Sequence, residues 1–123
     1  MNDTRPFAGR RVLLVEDEAM IAMLMEDMLA DLGCQVLGPA YAIGQALELA
    51  REHDVIDAAI LDVNLAGVPV FEVADVLRAR RVPLVFSTGY GEGGLRKVDQ
   101  GAPVLSKPFR LDDLATALGK ALA

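Results

Sequence analysis

The chain has 123 residues, of which 53% are hydrophobic and 24% are charged, and its formal net charge is −6 at pH 7. This length fits one domain with a buried core, and the composition excludes a disordered chain. The acidic balance argues against nucleic acid as the main partner, because binding a phosphate backbone requires a clustered basic face. The one dense basic patch, Arg78, Arg80 and Arg81, is read as a solvated helix end.

Membrane insertion and disulfide bonding are not expected either. The longest apolar stretch, residues 19–25, is too short to span a bilayer, and the amino-terminal residues lack a continuous apolar signal region. The single cysteine, Cys34, cannot form an intramolecular disulfide and is read as a buried structural thiol. We therefore expect a cytoplasmic protein with no membrane partner.

Strand and helix signals alternate five times along the chain. After a short polar arm at residues 1–9 come a strand at 11–16 and a helix at 18–32, where apolar residues repeat at helical spacing. The later elements are a strand at 34–37 closed by Gly38 and Pro39, a helix marked by Ile43, Leu47 and Ala50, a strand holding Asp62, a helix lined by Val70, Val73, Ala74 and Leu77, strands at 84–88 and around Val104 and Leu105, and a last helix with Leu111, Leu114, Leu118 and Leu122 on one face. Such alternation predicts a parallel sheet with right-handed crossovers and helices on both sides.

Residues 89–101 interrupt this rhythm. They hold five of the eleven glycines, and a glycine inside a helix costs about 1 kcal/mol relative to alanine. We therefore predict a short or irregular fourth helix, in a place suited to a conformational response. A merely tolerant loop is the alternative.

The first helix carries more apolar side chains than one core face needs. The residues assigned to its core face are Ile21, Leu24, Met28 and Leu32. This assignment points Met23 nearly opposite to the core and leaves Met20 at the margin. Flexible methionine side chains on an exposed face suit an adaptable protein contact, although scattered apolar surface residues are also common.

Acidic residues stand where two apolar runs end. Asp62 ends the run at 59–61, and Glu16 and Asp17 follow the run at 11–15. If these strands are neighbours, their backbones lie roughly 5 Å apart, and three carboxylates meet at one edge of the sheet. Crowded carboxylates either share protons or are held ionised by a cation, and this oxygen-rich set suits Mg²⁺ or Mn²⁺. His53, near the end of the second helix, is read as a surface or cap residue.

A magnesium site of this kind indicates phosphoryl transfer. Such a reaction needs in-line positioning and positive charge around the phosphoryl oxygens, with little covalent help beyond a nucleophile. Here Asp62 is the candidate nucleophile, with the metal on Asp17 and Asp62. Lys107 would neutralise a second phosphoryl oxygen, and the Thr88 hydroxyl would donate to a third. Each group is predicted to come from the end of a different strand.

This ordered set resembles the receiver domain of two-component response regulators across essentially the whole chain. The matching motifs are Val-Glu-Asp-Glu at 15–18, Leu-Asp-Val-Asn-Leu at 61–65, Ser-Thr-Gly at 87–89 and Ser-Lys-Pro-Phe at 106–109. The resemblance implies a flavodoxin-like three-layer α/β sandwich with a five-stranded parallel sheet in the order 2-1-3-4-5 and five helices. It also implies a cis peptide bond between Lys107 and Pro108.

The resemblance assigns a role to each acidic residue. It implies that Asp62 is the phosphoacceptor and that Asp17 and Asp62 hold Mg²⁺ together with the backbone carbonyl of Asn64. Glu16 would act largely through a metal-bound water. Thr88 would then be the switch hydroxyl, and the ammonium of the lysine on the fifth strand would contact the phosphate.

The chain departs from the family pattern in two places. Val104 stands where many receivers have a Tyr or Phe that reports phosphorylation, so that switch is missing. The stretch from Phe86 to Tyr90 looks like a subgroup with a Phe-Ala-Thr-Gly signature, often stand-alone proteins, with Ser87 in place of its Ala. By that likeness Tyr90 would report the state of the pocket, although an ordinary half-buried aromatic is the alternative.

The resemblance also names the classes of partner. It implies a sensor histidine kinase or a histidine phosphotransfer protein as phosphodonor, with Met20 and Met23 in the docking patch, and a downstream protein. We expect residues 1–123 to form one receiver domain without an output module, which assists its own phosphorylation but is not an enzyme. A phosphohydrolase with an Asp nucleophile would need a second acid at Asn64. The sequence also leaves open a flavin or dinucleotide binder and an interaction module that is never phosphorylated.

Overall fold

A computed structural model describes residues 5–89 and 94–123. In chain order the elements are β1 (Arg11–Val15), α1 (Ala19–Asp31), β2 (Gln35–Ala40), α2 (Ile43–Glu52), β3 (Ala58–Asp62), β4 (Asn64–Leu65), β5 (Val68–Pro69), α3 (Phe71–Ala79), β6 (Leu84–Thr88), β7 (Val104–Ser106) and α4 (Leu111–Leu122). Five strands form one sheet in the order β2-β1-β3-β6-β7, and every pairing in it is parallel. Counting only these five strands, the order is the predicted 2-1-3-4-5.

The sheet is buried on both faces, which confirms the three-layer sandwich. Leu13, Leu61 and Phe86 face one side, where they pack with buried residues of α2 and α3. Their neighbours along the strands, such as Leu14 and Ile60, face the other side and pack with α1 and α4. Successive side chains of a strand point to opposite faces, so a strand covered on both sides must be apolar throughout.

The described residues contain four α-helices where five were predicted. In the crossover from β6 to β7, the described part holds a 3₁₀ turn at Lys97–Asp99 in the place of the predicted short or irregular fourth helix. The glycine content of this segment explains the outcome, because glycine in a helix loses more backbone entropy than any other residue.

The core face of α1 differs from the prediction by one position. The buried residues on this helix are Ala22, Met25 and Leu29, whereas Leu24 is 51% exposed. The assignment of Leu24 to the core was therefore wrong. Every residue from 19 to 25 is apolar, so apolar spacing alone could not tell which face of the helix meets the sheet.

Strand β2 does not stop at Gly38 and Pro39, as predicted, but runs through them to Ala40. It is an edge strand, where a proline that cannot donate a hydrogen bond is tolerated. Gly38 has φ +99°, and a Cβ there would lie 2.9 Å from the carbonyl oxygen of Leu14. The strand can therefore continue because this position is a glycine.

The described part of the amino-terminal arm, from residue 5, packs against the domain. The Phe7 N–H donates to the Leu32 carbonyl at 2.9 Å, and the Gly9 N–H donates to the Gly33 carbonyl at the same distance. The Phe7 ring packs against the core that α1 and α4 share. The arm thus satisfies the carbonyls of the two residues that directly follow α1.

Three smaller expectations concern side chains away from the sheet edge. His53 is the C-cap of α2, as expected. Cys34 was predicted to be buried but is only half-buried, and this partial burial raises the pKa of its thiol to about 11.

The basic patch is not simply solvated, because Arg80 donates to the carbonyls of Ala50, His53 and Asp54. None of the described helices is long and apolar enough to cross a membrane.

Candidate functional site

The candidate site lies at the edge of the sheet where the carboxyl ends of the parallel strands meet. Asp62 ends β3, the central strand, and Thr88 ends β6 beside it. Glu16 follows β1, and Lys107 follows β7. Ligands of open α/β sheets bind at this edge. The structure therefore brings together four predicted residues that are up to 91 positions apart in the sequence.

Three carboxylates crowd this edge. Glu16, Asp17 and Asp62 each offer an oxygen within 4.8 Å of the others. Glu16 is fully buried and Asp62 is 7% exposed. Backbone donors reach two of the acids, since the Glu18 N–H donates to Glu16 at 3.1 Å and the Asn64 N–H donates to Asp62 at 3.2 Å. The apolar periodicity of the sequence did not require the three carboxylates to lie this close together. The order of the strands in the sheet brings them together.

A small hairpin, formed by β4 and β5, places a third donor. Its loop residues Ala66 and Gly67 have φ +52° and +86°, the signs that a tight two-residue hairpin turn requires. The Asn64 side-chain oxygen accepts from the Gly67 N–H at 2.8 Å, which closes the turn. The Ala66 N–H then donates to Oδ2 of Asp17 at 2.9 Å. Asn64 therefore shapes the loop that orients Asp17, a role the sequence did not indicate.

Lys107 is the cation facing the acids. Its Nζ lies 2.7 Å from Oε1 of Glu16 and 3.2 Å from Oδ2 of Asp62, and its side chain is 17% exposed. Its backbone N–H donates to the Thr88 carbonyl at 2.9 Å, which fixes the end of β7 against β6. The Lys107–Pro108 peptide bond is cis, as the resemblance implied. One ammonium thus faces three carboxylates.

Burial and the excess of carboxylates over ammonium groups shift the pKa values of Asp62, Asp17 and Lys107. Burial, with the nearby charge of Glu16, raises the pKa of Asp62 to about 7 even though Lys107 acts in the opposite direction. Burial also acts to raise the pKa of Asp17, but hydrogen bonds from Asp62 and the Ala66 N–H bring it below its ordinary value. Burial acts to lower the pKa of Lys107, but its contacts with Glu16 and Asp62 raise it. The site therefore favours one proton on Asp62 or a cation in its place.

The acids open into a cleft of about 610 Å³. Asp17, Asp62, Asn64, Thr88 and Lys107 all line it. Oxygen donors without sulfur or imidazole are the set that Mg²⁺ prefers, and Mg²⁺ commonly takes one or two carboxylates together with phosphate oxygens. The residues present therefore fit a divalent metal site.

Other predicted residues lie outside the cleft or outside the described part of the chain. Met20 and Met23 are 85% and 63% exposed on α1, close in sequence to Asp17. Tyr90 lies outside the described residues, and Val104 is partly buried on β7. The exposure of Met23 agrees with the predicted face, whereas Met20, predicted at the margin of that face, is the more exposed of the two. Their role as a docking patch stays a prediction.

A buried ion-pair cluster beside the cleft was missed by sequence reasoning. Asp99 is fully buried and binds Arg78 at 2.5 Å and Arg96 at 2.8 Å. Arg78 therefore belongs to this cluster, although the sequence placed it on a solvated helix end. Pairing between α3 and a segment 21 residues later leaves no local pattern.

Comparison with known proteins gives one consistent family. The family model described as the response regulator receiver domain matches residues 12–119. The transcriptional regulatory protein PdtaR of Mycobacterium tuberculosis (strain H37Rv) is 36% identical over 118 residues, which cover 93% of this chain and 57% of PdtaR. The chain spans about half the length of several curated relatives, such as the phyllosphere-induced regulator PhyR of Methylorubrum extorquens (43%) and TcrA of M. tuberculosis (45%).

Solved structures share the fold and the size of this chain. The solution structure of SdrG from Sphingomonas melonis Fr1 matches with a TM-score of 0.83 at 40% identity, covering 94% of this chain and 98% of SdrG. A BeF3-activated conformation of SdrG matches with a TM-score of 0.79 at 41% identity and the same coverage. The receiver domain of the sensor histidine kinase PA1611 of Pseudomonas aeruginosa PAO1, with magnesium in its active-site cleft, matches with a TM-score of 0.78 at 28% identity, covering 94% of this chain and 98% of that domain.

The residues that the family model matches include Glu16, Asp17, Asp62, Thr88 and Lys107. Receiver domains are signalling modules that accept a phosphoryl group. The fold, the convergent site and the family model agree over most of the chain's length. The chain belongs to the response regulator receiver domain family.

Proposed function

We propose that Asp62 accepts a phosphoryl group from a sensor histidine kinase or a histidine phosphotransfer protein, and that this modification changes the surface offered to a downstream protein. The observation that carries the proposal is the convergence of Asp62, Glu16, Asp17 and Lys107 at one edge of the sheet. Magnesium in the cleft of the PA1611 receiver domain and the BeF3-activated form of SdrG support the same chemistry in relatives.

A divalent cation, Mg²⁺ or Mn²⁺, fits the acidic side of the cleft. Asp17 and Asp62 would hold it, with the backbone carbonyl of Asn64 and, through a water, Glu16. When bound, the ion supplies positive charge for the oxygens of the phosphoryl group. The Ala66 N–H keeps Asp17 oriented in the cleft through its 2.9 Å hydrogen bond.

Asp62 would act as the nucleophile. Its carboxylate oxygen forms a bond to phosphorus while the bond between phosphorus and the donor's leaving group breaks and the electron pair departs with that group. A protonated carboxyl is a poor nucleophile, and burial with the nearby charge of Glu16 raises the pKa of Asp62. A bound cation would therefore favour the ionised, reactive form of Asp62.

Lys107 would exchange one partner when the phosphoryl group arrives. Its ammonium contacts both Asp62 and Glu16, and Glu16 is held by the Glu18 N–H in a fully buried position. Glu16 would therefore keep the ammonium in place while Lys107 moves its second contact from the Asp62 carboxylate to a phosphoryl oxygen. Charge-assisted contacts of this kind are the stronger hydrogen bonds in proteins.

The response would pass through Thr88 to the segment that follows it. Thr88 ends β6, is 4% exposed and lines the cleft, which supports a role for its hydroxyl as a donor to a phosphoryl oxygen. A shift there would bias the glycine-rich segment, with Tyr90 as a second switch residue and Pro108 beside the lysine contact. Met20 and Met23 would form part of the surface that meets the phosphodonor. In this proposal the domain acts in the cytoplasm, turns over no external substrate, and binds neither nucleic acid nor a membrane.

Intact-mass measurement after incubation with acetyl phosphate and Mg²⁺ tests the proposal. The wild type should gain one phosphoryl group that is labile in base, and Asp62→Ala should gain none. Asp54→Ala, which removes an exposed acid far from the cleft, is the matched control and should behave as the wild type. Equal labelling of wild type and Asp62→Ala would refute the proposal.

A further inference from the structure

Phe71 forms an aromatic part of the cleft that holds the phosphoacceptor. It is the first residue of α3 and lines the same cleft as Asp62 and Lys107. Val63, Pro69 and Gly94 line the cleft with it. The cleft therefore combines a charged part, made by the acids and the lysine, with an apolar part made by these four residues.

Arg96 holds the Phe71 ring in place. The centre of its guanidinium lies 4.6 Å from the centroid of the ring, within the range of a cation–π contact. The guanidinium itself is fixed, because it donates two hydrogen bonds to Asp75, at 2.8 and 3.2 Å, and two to Asp99, at 2.8 and 3.4 Å. The cation–π contact therefore links the Phe71 ring to a guanidinium that two carboxylates hold.

The segment that carries Arg96 fits closely against the residue next to the phosphoacceptor. A Cβ at Gly94 would lie 3.2 Å from Cγ1 of Val63, and Leu95 is buried in the core between the sheet and α3. Asp99 adds a second attachment, because it is fully buried and also binds Arg78 of α3 at 2.5 Å. The apolar part of the cleft is thus held by packing of this segment against Val63 and the core and by the ion pairs of Asp99.

We propose that Phe71, held by Arg96, contacts the leaving group of the phosphodonor and makes the domain selective for a planar aromatic leaving group, the imidazole of a phosphohistidine. The inference rests on the proposed function. In-line transfer places the leaving group on the far side of phosphorus from the attacking Asp62 oxygen, beyond the charged groups. Because Phe71 lines the same cleft as Asp62 and Lys107, an imidazole leaving group would contact its ring, whereas ammonia is too small to make an equivalent contact.

The step balances without another reactant. The Asp62 carboxylate forms a P–O bond as the P–N bond of the phosphoimidazole breaks, and the electron pair of that bond leaves on the ring nitrogen. The ring carries a proton on its other nitrogen, so imidazole departs as a neutral molecule. Phe71 takes no part in proton transfer and acts as a specificity-determining contact.

Two small phosphodonors, one with an aromatic leaving group and one without, distinguish the contact with Phe71 from phosphoryl transfer itself. Phosphorylation rates are measured by intact mass with Mg²⁺ and either monophosphoimidazole or phosphoramidate, and the ratio of the two rate constants is compared among variants. Phe71→Ala should lower the ratio about two- to tenfold, the size of an aromatic contact, with the phosphoramidate rate little changed. Phe71→Tyr should keep the ratio.

Arg96→Met and Arg78→Met form a matched pair. Both remove one arginine from the buried Asp99, but Arg96 is the one that lies over Phe71. Arg96→Met should lower the ratio in the direction of Phe71→Ala, whereas Arg78→Met should keep it, and urea unfolding of both variants confirms that the comparison is made on folded protein.

Several results would overturn the inference. An unchanged ratio in Phe71→Ala, with phosphoramidate still labelling Asp62, removes the selectivity but leaves the proposed function intact. If the ratio of rate constants falls equally in Arg78→Met and Arg96→Met, the effect comes from general destabilisation and not from the contact between Arg96 and Phe71. If neither donor phosphorylates the wild type, the proposed function fails and the selectivity fails with it.

Discussion

The ammonium of Lys107 lies 2.7 Å from a fully buried carboxylate oxygen of Glu16. The sequence motif suggests a lysine waiting for a phosphate, but in the fold this lysine is also the cation that compensates a buried acid. Removing one partner of a buried ion pair leaves an uncompensated charge, which costs far more than the pair itself contributes. The phosphate contact and the stability of the site therefore depend on the same side chain.

This relationship predicts a stability effect of Lys107→Met. The variant should lose about 3 kcal/mol of unfolding free energy in magnesium-free buffer near neutral pH, because Glu16 remains buried without its cation. Urea denaturation measures the loss. The double variant Lys107→Met with Glu16→Gln should recover much of it, and a single variant as stable as the wild type would show that the pair does not compensate Glu16.

Magnesium should stabilise the folded domain through Asp17 and Asp62. A ligand that binds only the folded state stabilises it by about 2.7 kcal/mol when its concentration is 100 times its dissociation constant. Thermal unfolding with and without Mg²⁺ measures this gain. Asp17→Asn should abolish most of it, and Asp54→Asn, which changes the net charge equally at an exposed position, should retain it. A full magnesium effect in Asp17→Asn would exclude Asp17 as a ligand.

The raised pKa of Asp62 predicts a pH dependence of stability in the absence of metal. Its folded value is about 7 against an ordinary value of 3.8, so the folded state binds more protons than the unfolded state between these values. Stability then falls as the pH rises from about 4 through about 7. The lowered pKa of Asp17 acts in the opposite direction, but only near and below its ordinary value of 3.8.

Asp62→Asn isolates this contribution. In EDTA, the urea midpoint of the wild type should fall between about pH 4 and about pH 7, and the variant should show a flatter profile because asparagine does not titrate. Asp54→Asn should keep the slope of the wild type. If the slopes of wild type and Asp62→Asn coincide, Asp62 is not the group that holds the proton.

The buried Asp99 should contribute more to stability than its exposed neighbour in the same cluster. Asp99 is fully buried with two arginine partners, so Asp99→Ala should cost about 3 kcal/mol, because it removes the charge-assisted hydrogen bonds to both arginines. Asp75 is 61% exposed, and Asp75→Ala should cost no more than about 1 kcal/mol. Urea denaturation of the two variants checks the difference, and equal losses would contradict it.

The sequence allowed the sheet and the acidic site to be predicted because both depend on local patterns. Apolar runs that end in Glu16 or Asp62 mark strands buried on both faces, and the carboxyl ends of parallel strands must meet at one edge. The convergence of Asp62 with Lys107 follows from strand order. The roles assigned to these residues stay predictions.

The features that the sequence did not indicate depend on contacts between distant segments. Leu24 was wrongly assigned to the core face of α1. Because the first residues of this helix are apolar on every side, their spacing does not show which side faces the sheet. The hairpin that turns the Ala66 N–H toward Asp17 is set by two positive φ angles, one of them at an alanine. The pairing of Arg78 with Asp99, and the position of Arg96 over Phe71, required the tertiary structure.

Borohydride reduction followed by peptide mass spectrometry identifies the phosphorylated residue, because borohydride converts an aspartyl phosphate to homoserine and so marks the residue that carried it. After incubation with Mg²⁺ and a small phosphodonor, we expect homoserine at position 62 in the wild type and none at this position when phosphodonor is omitted. Homoserine at another acid, or a phosphorylated protein in which position 62 remains aspartate, would contradict this expectation.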